Sequence, residues 1–176
     1  MTEAIAPSTV ATRSRTDLIL SIGRKVHSPQ MSTGALAELR RGTRFDVALQ
    51  AAFHGVISDV PESWLRVEYL PRWAAIAQCI ALTYAPARRS DPDGAALASA
   101  DLSETRFSRL LVSRGNGFFD QLLLVARYMR AKDAPLDWID LGILALTTDV
   151  HEDRADATRL RLARDFYRVQ TSVRSS

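Results

Sequence analysis

The stretch that determines the fold class is FFDQLLLVARYMRA, residues 118–131, in which apolar side chains recur at helical spacing around most of the helix. A second stretch, WAAIAQCIALTYA at residues 73–85, has the same character. Both are shorter than the roughly 20 apolar residues that a membrane-spanning helix needs, and Asp120 and Arg127 interrupt the first. The two stretches therefore predict core helices, with 118–131 as a central helix, and no contact with a membrane.

Helical periodicity continues on both sides of these stretches, and strand alternation is nearly absent. The apolar positions predict helices over 17–26, 35–41, 46–60, 71–84, a segment after Ser103, 137–146 and 153–173. Ser32, Asp46 and Ser103 are the predicted N-caps. The sequence thus predicts an all-α fold, a compact bundle of seven to eight helices in a single domain.

The segments between the predicted helices are short. Residues 86–94 are the clearest predicted loop, and Gly115-Asn116-Gly117 is predicted as a turn between two helices. Residues 1–14 lack the apolar core of a secretory signal and are predicted to form a disordered tail. Residues 15–176 remain as one helical domain.

Composition limits the classes of partner. The chain has 176 residues, 23 basic and 20 acidic side chains, and a single cysteine, Cys79. The lone cysteine excludes a disulfide and a zinc ribbon, and it favours a reducing cytoplasm. Because Lys25 and Lys132 are the only lysines, 21 of the basic residues are arginines. Arginine suits bidentate contacts with phosphate, but a GC-rich genome produces the same composition, so both explanations stay open.

No set of residues in the sequence predicts catalysis. The three histidines are scattered and form no pair with metal-ligand spacing. The acidic residues around His151 directly precede a helix, where carboxylates cap free N–H groups, and Asp91 and Asp93 suit a turn. Cys79, inside an apolar helix, is expected to be a small buried side chain. We therefore expect no enzymatic activity, no cofactor and no metal.

The last predicted helix is amphipathic and carries a basic stripe. Its apolar face consists of Leu162, Phe166 and Val169, extended by Leu160, Ala163 and Tyr167, and its basic face of Arg154, Arg161, Arg164 and Arg168. Acidic residues are concentrated at 133–153, where there is no Lys or Arg, and residues 154–176 carry a net charge of +4. Because few acids balance the stripe, it favours phosphate as a target. An ordinary solvated helix face is the alternative.

Several segments together resemble a known family, the small subunit (CasB family) of the type I-E CRISPR Cascade effector. They are GALAELRRG at 34–42, AAFHGVI at 51–57, LSETRFSRLL at 102–111, PLDW at 135–138 and LARDFYR at 162–168. Their order and spacing cover residues 17–168. The family often has adjacent arginines in the helix equivalent to 118–131, whereas this chain has LLLV at 122–125 and its arginines only afterwards.

The resemblance implies an all-α, non-catalytic protein, usually present in two copies along the inner face of a ribonucleoprotein. The partners it implies are the CRISPR RNA, the target and displaced non-target DNA strands, the Cascade backbone and large subunits, and a second copy of the chain. Base pairing supplies sequence specificity in such a complex, so this subunit needs only to hold phosphate backbones.

The basic residues of the matching segments and of the helices around them are the candidate site. The candidates for nucleic-acid binding are Arg40, Arg41, Arg44, Arg106, Arg109, Arg127, Arg130, Arg159, Arg161, Arg164 and Arg168. A second hypothesis is a helical protein-interaction module whose basic face binds an acidic protein partner. The acidic residues of 133–153 would then meet the basic face of a second copy.

Overall fold

Helices follow one another through the whole of the computed structural model, which describes residues 14–83 and 91–174. Within these ranges there are ten α-helices, eight of them with seven or more residues, and no strand. In chain order they are α1 (Arg15–Val26), α2 (Thr33–Arg40), α3 (Arg44–Ala48), α4 (Ala51–Val56), α5 (Leu70–Leu82), α6 (Asp93–Ser99), α7 (Glu104–Val112), α8 (Gly115–Ala131), α9 (Ile139–Thr147) and α10 (Glu152–Arg174). A short 3-10 turn, Glu62–Trp64, precedes α5. The all-α prediction is confirmed.

The central helix is α5 and not α8. Every residue of α5 from Trp73 to Ala81 is buried, and α1, α2, α3, α8 and α9 all pack against it. The helix α8 buries only one face, and Leu124 on its outer side is 53% exposed. The prediction of α8 as a central helix is therefore wrong. The charged positions of α8, such as Asp120 and Arg127, require a solvated side that α5 does not need.

A helix that the sequence did not predict, α6, makes the most extensive packing contact in the described part of the chain, against α10. The two backbones approach closely at Gly94, where a Cβ atom would collide with the carbonyl oxygen of Leu162 and lie 3.1 Å from the nitrogen of Phe166. The predicted loop at 86–94 is thus wrong for Asp93 and Gly94, which begin α6. Residues 86–90 of that loop lie outside the described residues.

The predicted helix over 46–60 is divided into α3 and α4, which meet at Gln50. Thr43, and not Asp46, is the N-cap of α3. The Thr43 hydroxyl accepts from the Asp46 backbone N–H, and the Asp46 side chain accepts from the Thr43 N–H at 2.7 Å, which makes a reciprocal capping box. Ser32 and Ser103 cap α2 and α7 as predicted.

The turn predicted at Gly115-Asn116-Gly117 is instead the first turn of α8. Of the predicted N-terminal tail at 1–14, only Ser14 lies in the described residues, and it caps α1. One continuous hydrophobic core joins the described helices. None of these helices is both long and apolar enough to span a membrane.

Candidate nucleic-acid interface

A set of exposed basic residues lies on α7, on α8 and at the C-cap of α8, and the two helices pack against each other. We call it the α7–α8 basic surface and define it by Arg106, Arg109, Arg127, Arg130 and Lys132. The four arginines are exposed. Within the described residues none of the five cations forms an ion pair, in contrast to several other arginines of the chain.

Tyr128 lies beside two members of this set, Arg106 and Lys132. Its hydroxyl donates to the carbonyl oxygens of Ala100 and Asp101 at 2.9 and 2.8 Å, which fixes the ring over the end of α6. The Cζ atom of Arg106 lies 5.4 Å and the Nζ atom of Lys132 lies 5.7 Å from the ring centroid. Both distances are in the range of a cation–π contact, so the ring limits the motion of both cations without neutralising either.

The arginines of α10 have a different environment from the one that the sequence predicts. The Arg159 side chain is only 9% exposed and lies 3.0 Å from a Glu152 oxygen and 2.7 Å from an Asp156 oxygen. It also donates to the Thr148 hydroxyl at 2.7 Å. This guanidinium therefore connects α10 to the end of α9 and has little surface left for a ligand.

Two further arginines of the stripe are paired. Arg161 lies 2.7 Å from an oxygen of Asp140 on α9, and Arg164 lies 2.9 Å from the buried carboxylate of its neighbour Asp165. The hydrogen bond to Asp165 is the largest cause of a raised pKa at Arg164. The prediction that the stripe has few balancing acids is therefore wrong, because Asp140 comes from another helix. Arg168 is exposed and has no ion pair among the described residues.

The predicted apolar face of α10 is narrower than the helical wheel indicates. Leu162 and Phe166 are fully buried, and Phe166 stacks on Phe107 of α7 with centroids 3.8 Å apart. Leu160 and Tyr167 are exposed by 72% and 38%, so their predicted place on the buried face is wrong. The helix α10 packs against α6 and α9, and Leu162 and Phe166 are its buried apolar residues in this part of the helix.

The candidates at the end of α2 and in α3 differ in exposure. Arg41 is exposed, whereas Arg40 is half-buried and donates from Nε to the carbonyl oxygen of Ala81 at 2.6 Å. Arg44 donates to the Asn116 side chain at 2.6 Å, and its Cζ atom lies 4.4 Å from the centroid of Phe119. Burial is the main cause of a lowered pKa at Arg44. Arg40 and Arg44 therefore serve the packing of α2 and α3 against α5 and α8.

Lys132 is the member of the α7–α8 basic surface that sequence reasoning missed. The signal that could have found it is its spacing, because Lys132 follows Tyr128 by one helical turn and such pairs are neighbours on a helix. Sequence reasoning also did not identify the contacts of Arg114, which are structural. It donates to three carbonyl oxygens at the end of α7 and approaches Glu152 at 3.6 Å, so it is a structural residue.

The residues that the sequence analysis considered for chemistry have structural contacts. Glu152 accepts from the Asp149 N–H, as expected for a helix cap. Burial raises the pKa of the Cys79 thiol. Asp93, predicted in a turn, is fully buried and accepts from the Leu141 N–H at 2.8 Å. Within the described residues, no three His, Cys, Asp or Glu side chains lie where they could hold a metal ion.

Comparison with known proteins identifies the family. No curated protein and no solved structure matches the chain. The family described as CRISPR-associated protein Cse2 matches residues 35–167, about three quarters of the chain. The matched region includes α7, α8 and most of α10, and with them the α7–α8 basic surface. The chain therefore belongs to the Cse2 family, the CasB-type small subunit of the type I-E Cascade complex.

Proposed function

We propose that the chain is a non-catalytic nucleic-acid-binding subunit that stabilises the R-loop of a Cascade complex. The observation that carries the proposal is the α7–α8 basic surface, where five cations on two packed helices have no acidic partner among the described residues. Uncompensated cations on rigid helices attract phosphate and release counterions when they bind it. They read no bases, which is consistent with a complex in which the guide supplies specificity.

The strands in this proposal are the hybrid of CRISPR RNA and target DNA and the displaced non-target strand. Exposed Arg41 and Arg168 add contacts outside the α7–α8 basic surface. Arg161 and Arg164 keep 40% and 70% of their side chains exposed and add weaker contacts, since each is already paired. Arg159 serves the fold. The protein then works in the cytoplasm beside the backbone and large subunits and a second copy of itself.

The test is an assembled complex that carries Arg127→Ala and Arg130→Ala. Every arginine that binds a phosphate adds about one to the slope of log K against log salt, so the slope should fall by about two in this double variant. We expect the decrease in affinity to be equal on unrelated targets, because backbone contacts carry no sequence information. R-loop formation on several targets, titrated at a series of salt concentrations, measures both quantities.

The matched control is Arg24→Ala, which removes an exposed arginine from α1. We expect it to leave the salt slope unchanged. An unchanged slope in the double variant would contradict the proposal. If the purified protein self-associates in a salt-sensitive way while single-stranded DNA fails to bind, the protein-interaction hypothesis is favoured instead.

A further inference from the structure

A pocket of about 290 Å³ opens between the start of α1, the turns at 61–69 and the junction of α9 and α10. Its apolar floor includes the buried side chains of Trp73 and Leu146. The rest of the lining includes two arginines, a histidine and two aromatic rings. The volume is just below the usual range for ligand sites, roughly 300–1,000 Å³. The pocket therefore fits one small planar group with a polar attachment.

The ionisable side chains that line this pocket include two arginines and a histidine, and no lining residue is acidic. Arg15, Arg66 and His151 line it, and burial together with the nearby charge of Arg154 lowers the pKa of Arg15. None of these three residues, and not Arg154 either, forms an ion pair with a carboxylate of the described residues. Glu152, next to His151, is already paired with an arginine of its own helix. An anion is the ligand that this arrangement attracts.

Aromatic rings provide a surface for a planar group. The Cζ atom of Arg15 lies 4.9 Å from the centroid of the Trp64 ring. Trp64 stacks on Trp73 with centroids 6.4 Å apart and planes inclined by 20°, and the Trp73 indole donates to the Trp64 carbonyl oxygen at 3.0 Å. Tyr69 borders the same opening. Arginine and aromatic side chains in contact are the surfaces on which unpaired bases stack.

We infer that this pocket binds one unpaired nucleotide of a single nucleic-acid strand, with the phosphate held by Arg15 and Arg66 and the base packed against the aromatic rings. The inference rests on the proposed function for the source of the strand. It adds a site on the α1 side of the molecule to the α7–α8 basic surface, and it assigns a stacking role that the sequence did not indicate.

The experiment is a titration of the full chain with thymidine 5′-monophosphate, followed by NMR of the tryptophan indole N–H signals. The variant Trp64→Phe assigns its signal. We expect the indole signals of Trp64 and Trp73 to shift and that of buried Trp138 to stay unchanged. Arg15→Gln should weaken the affinity about tenfold, because it removes one charge-assisted hydrogen bond, and Arg24→Gln, on the same helix, should leave it unchanged.

Arg66→Gln, a second variant, should also weaken the affinity for the nucleotide. It changes an exposed side chain and avoids the helix start at Arg15. The inference is overturned if the nucleotide shifts neither signal at millimolar concentration, or if inorganic phosphate alone produces the same shifts. If strand binding by the wild type fails while the nucleotide still shifts Trp64, only the proposed function falls. If strand binding survives and the nucleotide has no effect, only the pocket falls.

Discussion

The guanidinium of Arg159 lies between Glu152 and Asp156 of its own helix and the hydroxyl of Thr148, where α9 meets α10. Removing one partner from a buried ion pair leaves the others without compensation, at a cost of about 3–5 kcal/mol. Glu152 and Asp156 are half-exposed and regain water, so we expect Arg159→Met to lower the free energy of unfolding by about 1–3 kcal/mol. Urea denaturation followed by circular dichroism measures the difference.

The matched control is Arg168→Met, because Arg168 is exposed on the same helix and has no ion pair among the described residues. We expect this variant to unfold like the wild type. If both substitutions change stability equally, the network around Arg159 does not stabilise the junction of α9 and α10.

Asp93 is fully buried at the start of α6, where one of its carboxyl oxygens accepts from the Leu141 N–H. Burial is the largest cause that raises its pKa well above the ordinary 3.8, followed by the charge of Asp137 and a hydrogen bond with it. The neutral acid is therefore the form that the fold favours. This contribution to stability is fully present below pH 3.8 and decreases as the pH rises toward the folded pKa.

The variant Asp93→Asn keeps an acceptor for the Leu141 N–H and removes the ionisation. We expect it to match the wild type near pH 4 and to be more stable than the wild type at pH 7 to 8, in the direction that linkage requires. Unfolding free energies of both proteins, measured across this interval, give the comparison. A constant difference at every pH would show that the pKa of Asp93 is the same in the folded and unfolded states, which would contradict the prediction.

At the scale of elements, the approach of α6 to α10 depends on the absence of a side chain at Gly94. A methyl group there meets the backbone of α10 at Leu162 and Phe166, which cannot move aside as a flexible side chain would. We expect Gly94→Ala to destabilise the protein by about 1–3 kcal/mol, the usual cost of overpacking. Thermal and urea unfolding measure it.

Gly55 in α4 is the control, because no atom lies within 4 Å of the position that its Cβ would occupy. Alanine at that position should be neutral or stabilise by about 0.5–1 kcal/mol, since glycine loses more backbone entropy in a helix. Equal decreases in stability in both variants would mean that the close approach to α10 at Gly94 does not determine the result.

The elements that sequence reasoning missed lack a strong periodic signal. In α6 the sequence DGAALAS follows Asp91 and Pro92, so its beginning is typical of a turn, and its small side chains hardly mark an apolar face. The break between α3 and α4 at Gln50 has no proline or glycine beside it. The longer helices were predictable because each buries large side chains at helical spacing, as α8 does with Phe118 and Leu122.

At the scale of the whole molecule, the exposed arginines could be predicted and the paired ones could not. A helical wheel separates Arg106 and Arg109 from the buried face of α7, and the structure agrees. It cannot show that Arg161 meets Asp140, 21 residues away, or that Arg44 meets Asn116 across 72 residues. These two contacts are tertiary properties, because the partner of each arginine comes from another helix.

Under the proposed function, Tyr128 couples the stability of the subunit to the binding of a nucleic-acid strand. Arg106 and Lys132 approach the same ring, so their charged atoms are at most about 11 Å apart. The two positive charges therefore repel each other. Salt screens this repulsion only in part, because their separation is close to the Debye length, roughly 10 Å at 0.1 M salt. A phosphate between them replaces this repulsion with attraction, and a ligand that binds only the folded state raises the melting temperature. The free subunit should therefore be the least stable form of the protein, and assembly with a strand should protect it.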